Sequence, residues 1–295
     1  MKTVEYDSTP KAICMGKFEA LHLGHIRLIE ATVGSGMAAG LLSFVPHPAQ
    51  VLRSGGYRLL YTPREQERLL RGRGLDYWLR CRFDAEFAEM DAEAFCEVLC
   101  RDFGCRALFV GESFRFGKDR KGTVEDLRGL GLEVVTVPYL LDGGAKVGTS
   151  LIREYLSDGK VEEANRLLGH AFFVMGEVKK GRQLGRELGF PTANLLPSDG
   201  KFLPPNGVYA VKAHVGGKRR DGICNVGVSP TVTEKQERRA EVHIFDFDGD
   251  IYGEEMVVEF ERFVRGERRF SGVEELKRQI GEDVDYVVGI IYNAD

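Results

Sequence analysis

Two histidines flank a glycine in Gly16-Lys17-Phe18-Glu19-Ala20-Leu21-His22-Leu23-Gly24-His25, directly after a short apolar run and directly before a helical pattern. A strand, a loop and a helix N-terminus in that order offer unpaired backbone N–H groups and partial positive charge to a phosphate. His22 and His25 add donors for oxygens that gain charge while phosphorus is attacked, and Gly24 lets the backbone come close. Four residues of this kind also fit a plain turn, and their position after the first strand is what separates the two readings. Phe44-Val45-Pro46-His47-Pro48 follows a second apolar run and Gly111–Lys118 a third. Loops at the carboxyl ends of strands in an open α/β sheet share one crevice, so His47 and the HxGH pair are expected together. Lys118, Arg120 and Lys121 fit either phosphate contact or solvated surface charge. In Val147-Gly148-Thr149-Ser150-Leu151-Ile152-Arg153, Thr149 and Ser150 suit a helix N-cap as well as a phosphate, and the Arg153 fork matches phosphate oxygens.

A second constellation lies further on. Gly181-Arg182-Gln183-Leu184-Gly185-Arg186-Glu187-Leu188-Gly189-Phe190-Pro191-Thr192-Ala193-Asn194 packs glycines, arginines and a Thr/Asn pair into one stretch. Gly181, Gly185 and Gly189 permit the close approach a phosphate cradle needs, with Arg182, Arg186 and Pro191 between and beyond them. The Thr192 hydroxyl and the Asn194 carbonyl are hard oxygen ligands suited to magnesium that keeps water and phosphate ligands. Ala240–Asp246 reads as a strand with Glu241, His243 and Phe245 on one face, and a rigidly held Glu241 can take a proton from a hydroxyl. Asp246, Asp248 and Asp250 around Gly249 lack the spacing and terminal glutamate of a calcium loop and read as a turn.

The elements that must position these residues divide the chain. Ala12–Met15, Ala39–Val45 and Leu108–Val110 read as buried strands, with amphipathic helices at His25–Thr32, Pro63–Arg71 and Ala92–Phe103, an order that predicts a parallel α/β sheet. Leu151–Leu168, broken at Gly159 and ended by Gly169, reads as a helical connector. From Phe172 period-two runs punctuated by glycine predict an antiparallel barrel closed by a helix at Val273–Ile280. The expected domains are 1–168 and 169–295.

Composition narrows the classes further. A net charge of −4 with 29% charged residues leaves no basic surplus, so nucleic acid is not an expected partner. No stretch has the apolar length of a membrane span, and Glu5 and Asp7 stand where a leader would be apolar, so a cytoplasmic location is expected. Six cysteines without CxxC pairs or a histidine companion cluster suggest buried side chains and not a zinc or disulfide framework.

The order GKFxxxHxGH, FxPHPxxVL, GxxFxFGxxRxG and a hydroxyl cluster closing in IR resembles the adenylyltransferase module of bacterial bifunctional riboflavin kinase/FAD synthetases. That resemblance implies a Rossmann-like nucleotidylyltransferase domain that moves AMP from magnesium-ATP onto the FMN phosphate and releases pyrophosphate. It implies that His22 and His25 stabilise the reacting α-phosphate, that Gly16, Phe18 and Gly24 shape the ATP loop, and that His47, Thr149, Ser150 and Arg153 fall in the nucleotide and phosphate pocket. Four positions depart from the family pattern: Glu19-Ala20 replaces Asp-Gly, Ser113 an acid or amide, and Gly148 a serine. Ala20 is expected to crowd a tight turn.

The GRxLGRxLGFPTAN string and the segments after it resemble the riboflavin kinase module of the same family. The resemblance implies an antiparallel β-barrel riboflavin kinase domain with a C-terminal helix, ATP and riboflavin on opposite sides of the loops, and magnesium at Thr192 and Asn194. Glu241 matches the base that activates the ribityl hydroxyl, and Arg265 and Phe270 match positions near the flavin. ATP, riboflavin, FMN and FAD are therefore the expected partners, the flavins as substrates and products. A flavin-binding regulator on the same folds would have no need of Thr192, Asn194 and Glu241 together.

Overall fold

In the computed structural model, which describes residues 1–52, 56–181, 184–198, 200–229 and 237–292, the first apolar run forms β2 (Lys11–Met15) at the middle of a six-stranded sheet. The sheet also holds β1 (Lys2–Val4), β3 (Ala39–Val45), β4 (Tyr77–Arg82), β5 (Cys105–Gly111) and β6 (Glu133–Val137), all paired in parallel in the order β1-β4-β3-β2-β5-β6. Alternate residues of β2 enter two cores. Ile13 and Met15 pack with Leu42, Leu79 and Leu108, and Ala12 and Cys14 pack with Leu41, Trp78 and Phe109. Burial on both faces is why this strand reads as a continuous apolar run, as parallel strands do. Its one cation, Lys11, is 0% exposed and is met by the Asp7 carboxylate and the Phe103 carbonyl, each at 3.0 Å.

Helix α1 (Leu23–Val33) buries Leu28 and Ile29 on the second core. Shorter helices follow: α2 (Pro48–Leu52), α3 (Pro63–Leu70), α4 (Ala85–Ala88), α5 (Ala92–Glu97) and α6 (Val124–Gly129). The helix expected over Ala92–Phe103 is α5 running into a π-helical turn at Val98–Asp102. A short hairpin, β7 (Leu141–Asp142) and β8 (Ala145–Lys146), closes this part of the chain. From β2 the order runs β3 then β4 on one side and β5 then β6 on the other, with β1 added at the β4 edge, so the change of direction falls beside β2, where an open sheet places its ligand crevice.

The connector is helical as read: α7 (Thr149–Ser157) and α8 (Val161–Leu168) are separated at Gly159, and Gly169 ends α8 with a φ of 76°. Compact units divide at Met1–Thr149 and Ser150–Asp295, earlier than the expected boundary at 168. Helix α8 accounts for the difference. Asn165 donates to the Phe260 carbonyl at 2.8 Å and accepts from the Phe172 N–H at 2.7 Å, and Arg262 pairs with Glu162 at 2.8 Å, so the helix is tied to the second unit.

The second unit is a closed antiparallel barrel in the order β10-β13-β12-β11-β14-β9. Its strands are β9 (Phe172–Lys179), β10 (Ala193–Pro197), β11 (Gly207–Val215), β12 (Lys218–Ser229), β13 (Glu237–Ile244) and β14 (Glu255–Gly266). Tyr209, Val226, Val242 and Phe260 fill the interior at 0% exposure. Between β9 and β10 lies the short helix α9 (Leu184–Glu187). The last helix, α10 (Val273–Tyr292), extends well beyond the expected end at Ile280. Val287 packs on Val208, Ala210 and Ile223, so an apolar stripe carries the helix through Gly281 and over the outside of the barrel.

Candidate active sites

In the first unit the site is built on the N-terminus of α1. His22 is its N-cap, with an extended ψ of 170°, and its Nδ1 accepts the His25 N–H at 3.3 Å. The two imidazoles stack at 3.8 Å between centroids, and the Phe18 ring lies 4.9 Å from His25. A β-carbon at Gly24 would stand 3.1 Å from two atoms of the His22 ring, so glycine is needed for the pair to fold back on the helix start. A β-carbon at Gly16 would touch the Phe18 ring at 3.4 Å. Phe18 and Leu21 carry the left-handed backbone of this loop, with φ of 46° and 45°, while Ala20 does not, so its backbone is not strained. Among the described residues, His25 Nδ1 is buried without a hydrogen-bond partner at the start of the helix, an arrangement that a ligand donor or acceptor could complete.

Burial, and then the Lys146 charge, lower the His22 pKa to about 4, and burial together with His22 holds His25 well below its usual value. Lys146 was missed in the sequence because β8 is too short to read. It donates to Ser113 Oγ at 3.1 Å, which joins the loop after β5 to the hairpin, and it brings a cation toward the histidine pair. The unfolded chain protonates these histidines near pH 6.5 and the folded one does not, so the stability they carry is full above about 6.5 and is lost as pH falls toward 4. Calorimetry is expected to show the first unit melting lower as pH drops through that window, with a shallower slope in His22→Asn. Equal slopes would contradict the assignment.

His47 is buried, with Nδ1 accepting the Ala49 N–H at 3.2 Å and Nε2 3.7 Å from Glu19 Oε2. Thr149 opens α7, while Ser150 and Arg153 fall in the second unit, where the Arg153 guanidinium lies 5.3 Å over the Phe202 ring. Lys118 pairs with Glu89 at 2.6 Å and Lys121 with Asp119 at 3.4 Å, both at the surface. A β-carbon at Gly148 would meet nothing within 4 Å.

In the second unit, cross-strand register builds the site. Asn194 on β10 and Asn225 on β12 both pair with Glu241 on β13, placing an acid between two amides. Ala240 and Val242 point into the core at 0% exposure, so Glu241 faces the opposite way. It lines a cavity of about 520 Å³, a size that suits a small organic ligand. Leu276 and Ile280 of α10 supply apolar wall, beside Phe270 and Arg265. Arg265 is committed to the protein: Nε and Nη2 reach Asp283 at 2.9 and 2.6 Å, Nη1 donates to the Gly266 carbonyl at 3.0 Å, and its guanidinium lies 5.9 Å from the Phe270 centroid. It therefore braces α10 against β14 and walls the cavity.

A second cavity of about 180 Å³ has Arg186, Pro191, Asp248 and Tyr252 on its wall. Thr192 lines both cavities. Asp248 and Asp250, read as part of a turn, thus also shape a pocket, a role hidden in sequence because Val178 of β9, Ala193 of β10 and Val242 of β13 come together on the same wall only in the folded barrel. The glycine requirement is steric: a β-carbon at Gly181 would overlap the Asn194 carboxamide, and one at Gly185 would overlap the Phe190 carbonyl oxygen. Gly189 adopts a φ of 89°. His243, which donates through Nδ1 to the Pro191 carbonyl at 2.8 Å, pins this segment to β13. Arg182 lies outside the described residues. The Thr192 hydroxyl and the buried Asn194 amide oxygen form a hard-oxygen pair that fits magnesium held largely by water and phosphate.

Comparison with known proteins joins the two halves. The family model for FAD synthetase matches residues 4–151 and that for riboflavin kinase residues 168–291. A bifunctional riboflavin kinase/FMN adenylyltransferase of Bacillus subtilis (strain 168) is 34% identical, covering 95% of this chain and 92% of the relative. The Escherichia coli (strain K12) protein of the same name is also 34% identical, over 92% of this chain and 90% of its own length. The crystal structure of a macrolide-efflux protein from Streptococcus pneumoniae matches with a TM-score of 0.87 and 28% identity, covering 97% of this chain and 98% of that one. Among the described residues here no helix is long and apolar enough to cross a membrane. Two family models in one chain, in the same order as two separately built sites, and relatives that match from end to end lead to one conclusion: this chain belongs to the bifunctional riboflavin kinase/FMN adenylyltransferase family.

Proposed function

We propose that the chain phosphorylates riboflavin to FMN on its barrel and adenylylates FMN to FAD in its α/β unit. The observation that carries the kinase assignment is Thr192, shared by two cavities of unequal size, with Glu241 on the wall of the larger. Riboflavin takes the larger cavity, its ring against Phe270 and the α10 side chains, and ATP takes the smaller side, with its phosphates toward Thr192. Glu241 accepts the proton of the ribityl terminal hydroxyl. The oxygen of that hydroxyl attacks the γ-phosphorus and ADP leaves. Asn194 and Thr192 would hold magnesium, which neutralises phosphate charge when bound; Gly181 keeps the Asn194 carboxamide in place.

In the α/β unit the phosphate of FMN attacks the α-phosphorus of ATP and pyrophosphate leaves. Neutral His22 and His25 at the start of α1 donate to the oxygens that gain charge, and Lys146 adds a cation beside them. No covalent intermediate is needed. Supplying riboflavin, ATP and magnesium and following the flavins with time tests both assignments, since FMN must form first and FAD after it.

A further inference from the structure

Glu19 takes no part in the steps above, yet three segments of the α/β unit converge on its carboxylate. The side chain is 2% exposed and belongs to the loop that carries His22 and His25. Oε1 accepts the Leu60 N–H at 3.1 Å, and Oε2 accepts the Tyr57 hydroxyl at 2.8 Å. The same Oε2 lies 3.7 Å from Nε2 of His47, at the start of α2. Burying a carboxylate is costly unless its oxygens are bonded, and here both are.

The ring of His47 is fixed from two sides. Its Nδ1 accepts the Ala49 N–H at 3.2 Å, which assigns the ring proton to Nε2, the nitrogen that faces Glu19. The ring also lies nearly parallel to Tyr57, at 6° and 5.6 Å between centroids. Nδ1 is thus bonded within the protein, and Nε2 faces the Glu19 carboxylate at 3.7 Å.

We propose that Glu19 is a positioning residue for adenylyl transfer. It holds His47 as the Nε2–H tautomer and clamps the 57–60 segment to the HxGH loop, so that the His47–Tyr57 wall and the histidine pair keep one spacing when ATP enters. The proposal rests on the adenylyltransferase reading of this unit.

Glu19→Gln tests it in the full-length protein, because an amide can present an N–H where Tyr57 donates and it removes the charge that faces His47 Nε2 at 3.7 Å. The expected result is a fall in kcat/KM for FMN adenylylation of about 10- to 100-fold, carried mainly by KM for ATP. The ring 15N signals of His47 are expected to leave the Nε2–H pattern, and riboflavin phosphorylation, which uses the other unit, is expected to stay at its wild-type rate. Tyr57→Phe, which removes one partner of Oε2, is expected to shift KM and the 15N pattern in the same direction by less, and it serves should Glu19→Gln fail to fold. An unchanged His47 pattern in these variants would overturn the proposal, as would a loss confined to kcat. The 15N pattern is read without turnover, so failure of the tautomer assignment is distinguishable from absence of FAD synthesis in the wild-type chain.

Discussion

Replacing Glu241 with glutamine is expected to lower kcat for riboflavin phosphorylation by about 10²- to 10⁴-fold, the usual worth of a positioned general base. The substitution keeps size and hydrogen-bonding shape, and Glu241 is held in register between Asn194 and Asn225, groups an amide can also face. The barrel interior begins at its neighbours Ala240 and Val242, so the change stays on the cavity wall. KM for riboflavin is therefore expected to move little, because the proposed placement sets the ring against Phe270 and the α10 side chains of the cavity. FMN supplied from outside should still become FAD at the wild-type rate. Steady-state assays of each half-reaction check this, and a Glu241→Gln protein that phosphorylates riboflavin normally removes Glu241 as the base.

The counterpart in the other unit is His22→Asn. Asparagine is among the best N-cap residues, so α1 keeps its cap while the imidazole is lost. Loss of a preorganised donor to developing phosphate charge costs about 10²- to 10³-fold in kcat. FAD formation from FMN is expected to fall by that amount, with riboflavin phosphorylation unaffected. His25→Asn should behave similarly, since its Nδ1 is the buried atom left for a ligand and its ring stacks on His22 at 3.8 Å. The double variant should fall short of the product of the two single losses, because stacked neighbours do not act independently. Assays with FMN and ATP measure all three, and an active His22→Asn enzyme would contradict the role given to the pair.

Local chemistry was the legible part of this molecule. Ala39–Val45 was read to its ends, and β2 and β5 were found within longer strands, because apolar runs buried on both faces announce themselves. β4, with its two arginines, and the short β1 and β6 carry no such signal. β10 was hidden inside the Thr192–Asn194 string, whose residue types spoke of ligands before they spoke of a strand. The sequence reading ended α10 at Ile280, and only the barrel surface beneath shows why Val284 and Val287 continue it. Long-range placement was beyond reach in both sites. Asn225 beside Glu241, Asp283 under Arg265 and Lys146 near His22 depend on strand order and register, which spacing along the chain does not encode. Glu19-Ala20 shows the same limit: the pair departs from the family pattern, yet Ala20 carries no strained backbone and Glu19 bonds the Leu60 N–H and the Tyr57 hydroxyl.

The central claim is that one chain performs two different phosphorus transfers from ATP, and the two labels of ATP separate them directly. With riboflavin, magnesium and γ-labelled ATP, label is predicted to enter FMN first and then to persist in FAD, at the phosphate that began as FMN. With α-labelled ATP, FMN is predicted to stay unlabelled while FAD gains label in its AMP half and unlabelled pyrophosphate accumulates in equal amount. FMN carrying γ-label with no α-label reaching FAD would contradict the account for the α/β unit, and riboflavin that gains no label from either ATP would contradict it for the whole chain.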